Sequence, residues 1–140
     1  MKRIIYLSTG VTIFSDFEIN DLLNVSRINN AKNGITGLLL YSDGNFLQII
    51  EGENEMIDQL YINICKDRRH KNIINVVNKS IQERSFSNWE MGFSVVDINF
   101  LNNNPEINPF KIKTINTLDS VINSFIHTFL QSFRNQILYC

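Results

Sequence analysis

Three polar side chains stand where the hydrophobic pattern asks for apolar ones: Tyr6, Asn30 and Gln48. Tyr6 shares a strand face with Ile4 and Ser8, and a phenol there is both a bulky core group and a hydrogen-bonding group. Gln48 lies mid-strand between Phe46 and Ile50, with Leu39 opposite, and its amide can offer either a donor or an acceptor. Asn30 ends the stripe Ile19, Leu22, Leu23, Ser26, Asn30, so the last turns of that helix carry polar groups toward the interior. A buried amide without partners costs roughly 1–3 kcal/mol, which asks for a hydrogen-bonding ligand or neighbour. A cap on the helix end beside Gly34 accounts for Asn30 equally well, and a structural bond between Tyr6 and Gln48 accounts for that pair. A phenol and two amides inside an apolar shell suit a flat ligand with a polar edge.

These groups need a sheet and a helix to hold them. Ile4 to Leu7 reads as a buried strand, and Ser15-Asp16-Phe17-Glu18 is a capping box that starts a helix ending near Asn33-Gly34. Ile35 to Tyr41 and Phe46 to Ile50 are apolar strands joined at Asp43-Gly44, a pair that accepts a tight hairpin turn. That pairing puts Gly37, Leu39 and Tyr41 with Phe46, Gln48 and Ile50 on one face, and Leu38, Leu40, Leu47 and Ile49 on the other. A second helix is expected over Asn54 to Arg68, with Ile57, Leu60 and Ile64 on one face, then strands near Ile73–Gln82 and Trp89–Val96. The order βαββαββ favours a ferredoxin-like α+β sandwich with two helices on one face of a mostly antiparallel sheet. Both sheet faces are apolar, so the second needs its own cover. Leu118, Ile122, Phe125, Phe129 and Phe133 recur at helical spacing and predict a helical cap in the tail. Ile126, Leu130 and Ile137 widen that face enough for contact with another subunit or partner. The expected division is therefore a ligand-binding domain over 1–97 and a C-terminal helical cap and signalling region over 98–140.

Composition narrows the function classes. A chain of 140 residues, 44% hydrophobic and 19% charged, is sized for one globular core. Thirteen basic against fourteen acidic side chains leave a net charge of −1, which offers no field for a phosphate backbone, so direct nucleic-acid binding is not expected. The basic run Lys66, Arg68, Arg69, His70, Lys71 reads first as a solvated helix end. No apolar run is long enough to span a bilayer and the N-terminus lacks a signal-sequence pattern, so neither export nor membrane insertion is expected. Cys65 and Cys140 are too few for a disulfide scaffold and lack metal-ligand spacing with His70 or His127, which points to a reducing cytoplasm and to no metal.

Ser26-Arg27-Ile28-Asn29-Asn30, then Gly34-Ile35-Thr36-Gly37-Leu38-Leu39-Leu40-Tyr41, resembles the helix-to-strand signature of BLUF domains, the blue-light sensors that use FAD. Phe46-Leu47-Gln48-Ile49-Ile50-Glu51-Gly52 continues it in register, and the likeness extends from Tyr6 through Asp67-Arg68-Arg69-His70 to Phe86-Ser87-Asn88-Trp89-Glu90-Met91. The resemblance implies FAD held non-covalently between the two helices, with FMN or riboflavin as substitutes in a recombinant preparation. It implies that Tyr6 is the light-driven electron and proton donor and that Gln48 bridges it to the flavin and rearranges its hydrogen bonds. Asn30 would hold the carbonyl and imide side of the ring, with Ser26 and Asn29 as secondary contacts. Arg69 and His70 fall where the family places groups near the ring, and a guanidinium suits a carbonyl or phosphate oxygen; His70 is open between ring packing and the surface. Trp89 and Met91 match the segment that responds to the glutamine, while plain strand packing beside Phe93 and Val95 is the other account of Trp89.

The resulting expectation is a photoreceptor without substrate turnover. No stretch is left over for a cyclase, phosphodiesterase or DNA-binding domain, so output is expected through a downstream partner protein or a change of assembly, with a homo-oligomer expected. One rival is a flavin redox enzyme, which would need a nicotinamide or substrate pocket for which there is no motif. The other is a light-independent flavin or small-ligand regulatory module of the same fold.

Overall fold

The computed structural model describes residues 1–42, 44–87 and 91–95. Its elements are β1 (Lys2–Gly10), α1 (Asp16–Asn33), β2 (Thr36–Ser42), β3 (Asn45–Gly52), α2 (Asn54–Lys66), β4 (His70–Ser80) and β5 (Gly92–Val95). The chain thus runs βαββαββ, as the periodicity predicts. The strands form one sheet in the order β4-β1-β3-β2-β5. The first four positions pair antiparallel, in the ferredoxin-like arrangement, and β5 adds a strand parallel to β2.

Local chemistry explains the element boundaries. The Ser15 side chain accepts from the Glu18 N–H while the Glu18 side chain accepts from the Ser15 N–H, so the expected capping box is complete. Gly34 ends α1 in the left-handed region at φ 66°, where a Cβ would be strained, and its N–H bonds the Asn30 carbonyl. Gly44 turns the β2–β3 hairpin at φ 83°; its predicted companion Asp43 lies outside the described residues. The predicted hairpin register holds, with Gly37 opposite Ile50, Leu39 opposite Gln48 and Tyr41 opposite Phe46. Boundaries around the second helix differ from expectation, and β5 begins only at Gly92. Helix α2 stops at Lys66 because Asp67 adopts an extended conformation, and β4 begins already at His70, which pairs with Gly10.

Both faces of the sheet are buried, as the two apolar stripes require. Ile4, Tyr6, Leu39, Phe46 and Ile50 pack with Ile19 and Leu23 of α1 and Ile57 of α2. On the opposite face Leu38, Leu40, Leu47 and Ile49 are fully buried, each large aliphatic group contributing about 1.5–3 kcal/mol. The helical cap predicted around Leu118 to Phe133, and with it the proposed division near residue 97, lies outside the described residues. Cys65 is an exposed free thiol.

Candidate functional site

The C-terminal halves of α1 and α2 close over the face carrying Tyr6 and Gln48, leaving a cavity of about 260 Å³. Tyr6, Ser26, Asn29, Asn30, Gln48, Arg69 and His70, the expected photoactive and cofactor-binding set, all line it. Leu22, Leu39, Phe46, Leu60 and Ile64 supply most of the apolar wall. Met91 lies behind Gln48 and is fully buried, at the bend that precedes β5 and not within a strand as expected. Trp89 lies outside the described residues.

Tyr6 and Gln48 are direct cross-strand partners on β1 and β3, which sets their side chains side by side on the helix-facing surface. The Tyr6 hydroxyl donates to Gln48 Oε1. The other end of the amide, Nε2, points at the Met91 sulfur at 3.5 Å, a weak acceptor. Burial above all, with Tyr61, Asp67 and Cys65 nearby, holds the Tyr6 phenol well above the usual tyrosine range. The group is therefore neutral and protonated in the ground state. Its ring contacts Tyr61 at 5.9 Å and meets His70 edge-on at 6.2 Å.

The remaining expected residues take distinct positions around that pair. Asn30 reconciles its two sequence readings: its backbone carbonyl accepts from Gly34 and Ile35 at the helix end, while its buried side chain lines the cavity. His70 is tied down by Ser8 Oγ at 2.9 Å from Nδ1 and by the Ile64 carbonyl at 2.7 Å from Nε2. A carbonyl only accepts, so Nε2 carries a proton, and the ring is held in the cavity wall and not left free at the surface. Arg69, more than half exposed, turns its guanidinium onto the Asp67 carboxylate, with Nη2 at 2.6 Å. That hydrogen bond holds the Asp67 carboxyl below its ordinary range. Arg69 thus reaches the cavity already paired.

Sequence reasoning missed Phe14, Val25, Asn63 and Asp67 in the lining. The last two had a signal. Leu60, Asn63 and Ile64 on α2, and Asp67 just past its end, follow three- and four-residue spacing, so that side turns polar toward the C-terminus just as Ser26, Asn29 and Asn30 make α1 do. Arg27 was read only as part of a motif, yet its Nε donates to the Met91 carbonyl at 3.1 Å.

This cavity, apolar on its walls with amides and a phenol at one side, meets the needs of a planar heteroaromatic ring with a polar edge. Comparison with known proteins agrees. The model of the BLUF family, described as sensors of blue-light using FAD, matches residues 1–92. The photoactivated adenylate cyclase subunit alpha of Euglena gracilis is 33% identical over 99 residues, which are 69% of this chain and 10% of that protein. The chain thus spans about a tenth of the length of the first curated relatives it matches. Among solved structures, BlsA in its photo-activated state is 32% identical with a TM-score of 0.74, covering 89% of this chain and 94% of that one. The BLUF protein BlrB in its dark state is 26% identical with a TM-score of 0.73, covering 91% and 95%.

Proposed function

This chain belongs to the BLUF family of blue-light sensors using FAD, and from that membership we propose that it is a photoreceptor in which Tyr6 and Gln48 convert light into a hydrogen-bond switch. The observation that carries the reading is the buried chain Tyr6–Gln48–Met91 at the wall of a cavity suited to a flavin ring. The cavity of about 260 Å³ lies just under the roughly 300–1,000 Å³ typical of small-molecule pockets. FAD is the proposed ligand and FMN the substitute. When bound, the flavin supplies absorption of blue light and an excited state that accepts an electron.

Tyr6 would be the electron and proton donor to that group, and burial keeps its hydroxyl protonated before excitation. Gln48 loses the hydrogen bond it accepts and resettles its amide, which can offer either oxygen or NH₂ to each neighbour. Met91 senses the change because Nε2 rests on its sulfur. Asn30, Asn29 and Ser26 orient the ring edge, His70 packs the wall, and Arg69 stands at the exposed side where a phosphate or carbonyl would pass. Trp89, from its place in the motif, is the second relay residue.

The protein turns over no substrate; its output is a shape change delivered to a partner protein or to its own assembly, in the cytoplasm. Among the described residues no helix is long and apolar enough to cross a membrane. A light-minus-dark absorption spectrum of the purified yellow protein tests the reading: a reversible red shift supports it. A colourless protein that cannot be loaded with FAD supports a light-independent regulatory module in its place.

A further inference from the structure

The segment between β4 and β5 brings Met91 against Gln48, and among its described residues polar contacts hold it near its start and at its end. At its start, Glu51 on β3, itself fully buried, accepts from the Ser85 and Phe86 N–H groups at 2.9 Å each. Arg84 of the same stretch reaches the Gly34 carbonyl at 2.7 Å and Thr36 Oγ1 at 2.9 Å. At its end, Arg27 on α1 donates from Nε to the Met91 carbonyl at 3.1 Å. The next residue, Gly92, is already paired with Leu38 in the sheet. The contact from Arg27 thus falls on the residue whose sulfur touches Gln48.

We infer that Arg27 is a positioning residue for the switch: by holding the Met91 carbonyl, it keeps the Met91 sulfur in reach of the Gln48 amide and ties any movement of Met91 to α1. This rests on the Tyr6–Gln48–Met91 reading above. The chemistry suits the task. A methionine side chain is flexible and its sulfur a weak acceptor, so the sulfur contact cannot by itself fix Met91 against Gln48. A guanidinium is planar and always charged, and its bond to a carbonyl is of the stronger, charge-assisted class. Arg27 is only half-buried and is absent from the cavity lining, so its side chain forms no part of the cavity wall. It also lies one turn before Asn30, which makes α1 a single rigid body joining the ligand edge to Met91.

The test uses the flavin-loaded protein with ¹³C-labelled methionine methyls. The sequence holds three methionines, so the Met91 signal is identified by Met91→Leu. In Arg27→Gln, the Met91 methyl in darkness is expected to move toward the position of the part-exposed Met56, the docked population falling roughly tenfold or more. Return from the red-shifted state is expected to slow, because docked Met91 favours the dark arrangement. Arg27→Lys, which keeps a charged donor without the planar fork, is expected to fall between the two and serves if Arg27→Gln does not fold. A dark Met91 signal at the wild-type position in the folded variants overturns the inference, as does a displaced Met91 with wild-type recovery. If the wild type itself shows no light-induced shift, the photoreceptor reading fails and takes the relay role with it; the dark methyl signal separates that failure from loss of the Arg27 contact.

Discussion

Tyr6 on β1 and Gln48 on β3 are paired across two adjacent interior strands of the sheet, and the phenol donates a hydrogen bond to the amide oxygen while the amide nitrogen rests on Met91. Both side chains are more than nine-tenths buried, and each is the other's direct hydrogen-bond partner. A change at one end of this chain has to be answered at the other.

Removing the Tyr6 hydroxyl separates ligand binding from switching. Tyr6→Phe is nearly isosteric, so the core and flavin binding are expected to survive while the red-shifted lit state is lost. Gln48→Leu keeps an apolar shape without an amide and is expected to lose the normal shift as well. Difference spectra that match wild type in both variants would sink the Tyr6–Gln48 mechanism.

Asn30→Ala leaves a ligand edge buried without its directed bond. Flavin retention is expected to weaken by on the order of 1–3 kcal/mol, read as a rise in the dissociation constant by fluorescence titration of the apoprotein. Binding equal to wild type would move the polar edge of the ligand elsewhere in the cavity.

Alkaline pH offers a check on Tyr6 without light. Burial raises its pKa above the ordinary value of 10.0, so the folded chain retains a proton that the unfolded chain releases. The stabilisation is complete below that value and is lost as the pH rises above it, by at most about 1.4 kcal/mol per pH unit. Urea midpoints at about pH 8 and about pH 10.5 are expected to fall further apart in wild type than in Tyr6→Phe. Tyr61 is also raised by burial and touches Tyr6, so the comparison is made in a Tyr61→Phe background.

Glu51 is expected to dominate the anchoring of the β4–β5 segment. Its carboxylate takes Arg3 at 2.6 Å and the Ser85 and Phe86 amides, all from a fully buried position. Glu51→Ala strands the largely buried Arg3 charge and both amides, and about 3–5 kcal/mol of unfolding free energy is expected to be lost. Glu51→Gln keeps one acceptor oxygen and is expected to lose less. Equal urea denaturation curves for Glu51→Ala and wild type would show that the segment is held by other contacts.

What the sequence determined by itself rests on short-range rules. The Ser15–Glu18 box, the left-handed Gly34 and the Leu39–Gln48 register depend on residues a few positions apart or on the two-residue period of a strand, so they are legible without a fold. The same periods exposed Tyr6, Asn30 and Gln48 as misplaced polar groups, although the flavin itself was named by resemblance and not by pattern. Tertiary structure decided the rest, because the deciding contacts join distant parts of the chain. Tyr6 and Gln48 are 42 residues apart and became partners only when β1 entered the sheet beside β3. Asp67 ended α2 early and drew Arg69 aside, a competition between helix propagation and a local ion pair that propensity does not rank. Arg27 and Met91 are 64 residues apart, and the acceptor is a backbone carbonyl that every residue but its neighbours could equally have offered. A hydrogen bond of that kind leaves no trace in residue type, and only the packed fold selects it.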